Sequence, residues 1–113
     1  MRARAILVAV LLFVSSHAFA DCKEPAIGTK NFPSFSPPLG EVVIGSGRLA
    51  LYSAPNLNCI ISGVFVIPGD QLIAYAESSE GWSSVMYSNP KSGDSVSGWV
   101  KSSRLKTTGT MGH

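Results

Sequence analysis

Beyond residue 20, no apolar 3.6-residue period persists for ten residues anywhere in this chain. A helix that buries one face needs that period, so helices are excluded as the main building element. Short alternating runs between turn residues remain. Residues 41–44 form a brief apolar run, and Gly45-Ser46-Gly47 separates it from residues 48–52, where Leu49 and Leu51 share a face. Residues 53–59 supply proline and asparagine turn chemistry. Val64 and Val66 then alternate, and Pro68-Gly69-Asp70 breaks the run. Leu72, Ala74 and Ala76 follow on one face, with Ile73 and Tyr75 on the other. A turn at 78–81 leads into residues 82–88, whose bulky positions are Trp82, Val85 and Tyr87. A polar loop runs to Gly98-Trp99-Val100-Lys101, and residues 102–105 make a last turn. Five or six short strands at this spacing predict an all-β fold, a small barrel or sandwich.

The first twenty residues stand apart. A basic start with Arg2 and Arg4, an apolar run over 5–14 and the closing Ala18-Phe19-Ala20 have the form of a cleaved secretory signal peptide. The apolar run is about half the length a membrane span requires, so no stable membrane insertion is expected after cleavage. Asp21 separates the cut from Cys22, which argues against a lipid anchor. From residue 21 onward, seven basic side chains face seven acidic ones. A neutral chain has no broad basic footprint, and nucleic acid is not an expected partner. Lys101, Arg104 and Lys106 are the one cationic cluster, read as a solvated edge.

Export changes the meaning of the two cysteines. In an oxidising compartment Cys22 and Cys59 are expected to pair, with two free thiols as the other option. Their spacing is unlike the C-x-x-C of redox enzymes. A bridge would tie down residues 21–46, a proline-rich arm ending in a first short strand. Four prolines between 25 and 38 argue against a long helix or a central strand there. Phe32, Phe35 and Leu39 are the arm's apolar contacts and are expected to pack on the domain. Residues 107–113, "TTGTMGH", read as a disordered tail.

Two Gly-Trp pairs, Gly81-Trp82 and Gly98-Trp99, recur at hairpin spacing. Glycine allows a turn or a close backbone approach, and each tryptophan carries a large ring into the following strand. Residues 47–106 resemble the bacterial SH3 (SH3b) family. The matching elements are Leu51-Tyr52-Ser53-Ala54-Pro55-Asn56, Pro68-Gly69-Asp70-Gln71-Leu72, Gly81-Trp82 with Val85 and Tyr87, and Gly98-Trp99-Val100 with Leu105. Ala54 departs from the glycine usual in the family's first loop. The resemblance implies a small SH3-like barrel that binds ligands in grooves beside its long loops. It brings forward Tyr52, Asn56, Trp82, Tyr87 and Trp99 as ligand-contacting residues.

Catalytic chemistry finds few residues to work with. The two histidines are His17, inside the expected signal, and His113, the last residue. Histidine-dependent triads, dyads and zinc sites are therefore excluded from the domain. Glu77 and Glu80 fall in a turn where water surrounds them, unlike a glycosidase pair. No calcium-loop spacing or phosphate-cradling lysine loop occurs. No enzyme activity, cofactor or metal is expected. The expected role is a periplasmic or secreted binding module for peptidoglycan peptides or an envelope protein. The alternative is an immunity or inhibitor protein that inserts loop 89–96 into a wall-degrading toxin or hydrolase.

Overall fold

The computed structural model describes residues 22–111; the expected signal peptide lies outside them. Seven strands form: β1 (Ser34–Val43), β2 (Leu49–Tyr52), β3 (Ile60–Val66), β4 (Gln71–Glu77), β5 (Trp82–Ser88), β6 (Ser95–Lys101) and β7 (Leu105–Thr110). They make one antiparallel sheet in the order β3-β2-β6-β5-β4-β1-β7, with β3 and β7 as its open edges. The chain is all-β as expected, with seven strands where five or six were expected.

The extra pairing comes from the chain's ends. The four prolines argued against a central strand, yet β1 contains Pro37 and Pro38 and lies between β4 and β7. The reason is local. The β1–β4 register jumps between Ser34 and Leu39, and pairing with β7 begins at Leu39. Both prolines sit in the gap, where no ladder donor is required. The Pro38 carbonyl still accepts from the Met111 amide at 2.7 Å. Residues 107–110, read as part of a frayed tail, belong to β7. Its side chains past Leu105 are exposed. An edge strand can hold on by backbone bonds alone, so it carries no apolar alternation to read.

The inner core gathers Val43, Leu49, Leu51, Val66, Leu72, Ala74, Val85 and Val100, with Phe35 and Leu39 packed against it. These residues come from six strands of a sheet that no α-helix covers among the described residues. The sheet therefore hides this face by curling over itself. Strands β5 and β6 pair without a slip from Trp82↔Lys101 to Ser88↔Ser95. Opposite residues share a face, so Val85 and Val100 point inward while Trp82, Trp99 and Lys101 share the other side.

The two glycines before the tryptophans do different work. Gly81 has φ +88° with open space around its α-carbon, so it serves the turn. A β-carbon on Gly98 would meet the Tyr52 carbonyl oxygen at 2.9 Å and Leu51 at 3.3 Å, so Gly98 lets β2 close on β6. The cationic cluster is also more structural than a solvated edge suggests. Arg104 donates to the carbonyls of Ile44 at 2.6 Å and Gly47 at 2.7 Å, fastening the β1–β2 loop.

One acid is buried. Glu41 is 6 % exposed, and both its carboxylate oxygens accept from the Thr107 hydroxyl at 3.1 Å. Burial raises its pKa above the usual carboxylate value, the Thr107 bond opposes this, and the charge of Glu77 adds to the rise. The folded state therefore holds its proton to higher pH than the unfolded chain does. This contribution to stability is fully present below the unfolded pKa and is lost as pH rises through the folded one.

Two measurements check this account. Glu41→Gln should raise the melting temperature at pH 7, and its melting curves should lose the fall in stability that the wild type shows as pH rises from about 4.5. Gly98→Ala should lower the urea unfolding free energy by about 1–3 kcal/mol through forced separation of β2 and β6.

Candidate binding site

Three of the five expected site residues, Tyr52, Trp82 and Trp99, come together at one end of the sheet. Tyr52 pairs across the ladder with Trp99. Its ring meets Trp82 edge-on, with centroids 5.0 Å apart and planes at 80°. The Lys101 ammonium lies 5.1 Å from the Trp82 ring centre. Asn56 is exposed and its side-chain oxygen accepts from the Asn58 amide at 2.8 Å, capping the 3₁₀ turn Leu57–Cys59. Asn56 thus shapes the turn that delivers Cys59.

This aromatic cluster is covered. Trp99 is fully buried and Trp82 is 6 % exposed, although both lie on the side of β5–β6 away from the inner core. The cover over Trp99 is the arm, residues 22–33. Cys22 is bonded to Cys59, with α-carbons 5.5 Å apart. Glu24 accepts from the Trp99 indole N–H at 3.0 Å. Phe32 meets the Trp99 ring edge-on at 5.6 Å. The Pro33 carbonyl accepts from the Glu77 amide at 3.3 Å. Inside the arm, the Gly28 amide donates to the Phe32 carbonyl at 2.7 Å, and the Phe32 amide to Thr29 at 3.2 Å. The expected disulfide is present, and the arm packs on the domain as expected.

Magnitudes indicate what holds the arm. A hydrogen bond to a charged group contributes about 1.5–3 kcal/mol and an aromatic pair about 0.5–1.5 kcal/mol. Fixing a residue's backbone costs about 1–2 kcal/mol. The bond to Cys59 fixes the start of the arm and limits the freedom that undocking would restore.

Tyr87 lies elsewhere. Five residues along β5 from Trp82, it is roughly 17 Å away at strand rise. It is half-buried and forms the shared wall of two open cavities. One, about 340 Å³, runs along Gly69, Asp70, Gln71 and Pro90. The other, about 320 Å³, is lined by Val64, Phe65, Asn89, Asp94 and Val96. Phe65 is 39 % exposed, and the Arg48 guanidinium sits 4.1 Å over its ring. The sequence reading missed Phe65. Its position out of phase with Val64 and Val66 is the signal that it faces outward from β3.

The loop beside these cavities is ordered by its own bonds. The Asn89 side chain accepts from the amides of Lys91 at 2.8 Å and Ser92 at 3.2 Å. The Asn89 amide donates to the Asp94 carbonyl at 2.7 Å, and the Gly93 amide to the Asn89 carbonyl at 2.8 Å. Among the described residues no three His, Cys, Asp or Glu side chains group so as to hold a metal ion, and no helix is long and apolar enough to cross a membrane. The chain matches no family model, no curated protein and no solved structure.

Replacing both cysteines, Cys22→Ser with Cys59→Ser, should lower the urea unfolding free energy by about 3–4 kcal/mol, the loop-closure value for a bridge 37 residues apart. An unchanged midpoint would show that the bridge does not constrain the chain.

Proposed function

We propose that this chain is a non-catalytic, SH3-like binding module of the bacterial envelope, exported to the periplasm or beyond, and that it recognises peptidoglycan peptides or an envelope protein. The supporting observation is the half-buried Tyr87 with an open cavity on either side. A groove of this kind suits an extended peptide. The Tyr87 and Phe65 rings offer contact area, and the edge strand β3 offers backbone groups for added pairing. Asp70 and Asp94 on the two rims favour a ligand that carries amino groups. With the arm in place Trp82 and Trp99 serve as packing, and Tyr52 is set against Trp82.

A second reading, an immunity or inhibitor protein, is favoured by the loop at 89–94. It is held in one shape by the Asn89 bonds, and a preordered loop enters a cleft at low entropic cost.

Co-sedimentation with purified peptidoglycan tests the first reading. The oxidised wild type should pellet, Tyr87→Ala should lose at least tenfold in affinity, and Tyr52→Ala should stay close to wild type. Absence of sedimentation would reject peptidoglycan as the ligand. Capture of a wall hydrolase from an envelope extract, lost on shortening the 89–94 loop, would instead support the inhibitor reading.

A further inference from the structure

The arm lies over Trp99, one part of a surface built like a binding face. Trp99 presents an indole N–H, Lys101 a cation, and Tyr52 and Trp82 two rings in contact. What now occupies it is a peptide segment that runs from Cys22 into a turn over residues 28–32: Glu24 supplies the carboxylate taken by Trp99, and Phe32 the ring set against it. No β-ladder includes residues 22–33, and most of them are exposed. A segment that is exposed and outside the ladders belongs to the low-stability end of a fold.

We propose that the arm is a covalently latched occupant of a second peptide-binding site, and that opening the Cys22–Cys59 bond uncovers this site for a peptide that carries one carboxylate and one aromatic ring at the spacing of Glu24 and Phe32. This site is separate from the Tyr87 groove and does not depend on the reading given to it.

The opening step is thiol–disulfide exchange with a dithiol reductant, a protein of the dithiol oxidoreductase class or a small dithiol. Cys22 is exposed, whereas Cys59 is 3 % exposed. A reductant thiolate attacks the Cys22 sulfur, the S–S bond breaks, and Cys59 leaves as a thiolate that takes up a proton. The second reductant thiol then attacks the mixed disulfide and releases Cys22 as a thiol. Two electrons and two protons pass to the protein, and the reductant becomes a disulfide. Loss of the anchor leaves the arm's contacts opposed by its ordering entropy, so the arm leaves Trp99. Re-oxidation closes the site. The released arm remains tethered and competes at high effective concentration, which sets a threshold that a partner must exceed.

The test uses the full chain and a fluorescein-labelled synthetic peptide, KEPAIGTKNFP, copied from residues 23–33. In fluorescence anisotropy, reduction with dithiothreitol should tighten peptide binding at least tenfold over the oxidised protein. The same peptide with Gln in place of its Glu should bind at least fivefold more weakly, and Tyr87→Ala should not alter binding. In a Trp82→Phe background, acrylamide quenching of Trp99 should rise at least twofold on reduction. An oxidised Glu24→Ala/Phe32→Ala variant should already show part of that rise. Equal binding in both redox states, or none in either, would overturn the proposal. So would collapse of the cooperative thermal transition on reduction, because the bond would then be part of the fold and not a latch.

Discussion

One covalent bond fixes the start of the arm that lies over Trp99 on the outer side of this sheet. Cys22–Cys59 fixes the start of the arm to the turn after β2, and Pro33 leads the other end into β1. Between those two points the chain crosses Trp99 and buries it completely. Without that cover, an indole on the outer side of the sheet would face water. The domain thus has two apolar layers. An aliphatic layer lies inside the curled sheet, and an aromatic layer lies outside it beneath the arm. Strands β5 and β6 carry side chains into both, which is why Trp82 and Ser83 are buried side by side.

The two layers meet at Gly98. Its missing side chain lets the β2 backbone approach β6, with Leu51 turned inward and Tyr52 set opposite Trp99. The Gly-Trp element is therefore one device in two parts: glycine brings the strands together, and tryptophan fills the space under the arm. At Gly81-Trp82 the same pair of letters solves another problem, since there the glycine makes the turn. Sequence spacing alone could not separate these uses, because the difference lies in which backbone comes near.

Much of the fold was legible residue by residue. Alternation at Leu49/Leu51 and Leu72/Ala74 marked inward faces, and two cysteines behind an expected signal peptide pointed to the bridge. Local patterns failed at the ends of the chain. Pro37 and Pro38 suggested an arm, yet they fit a central strand because they fall in a gap of its ladder. The threonine-rich end looked frayed, yet an edge strand needs only backbone pairing. Of the candidate site, Tyr52, Trp82 and Trp99 do come together, but the covering of Trp99 follows from contacts with Glu24 and Phe32 far away in the chain. A contact of that range leaves no local trace, and Tyr87, at the far end of β5, is the expected residue that faces open cavities.

The description turns on Trp99 lying under a covalently held arm, and nuclear Overhauser spectroscopy of the oxidised protein tests this most directly. The Trp99 indole N–H should exchange slowly with solvent, and the ring should show cross-peaks to Phe32 and to the side chain of Glu24. A fast-exchanging indole proton, with no cross-peak to any residue between 22 and 33, would contradict it.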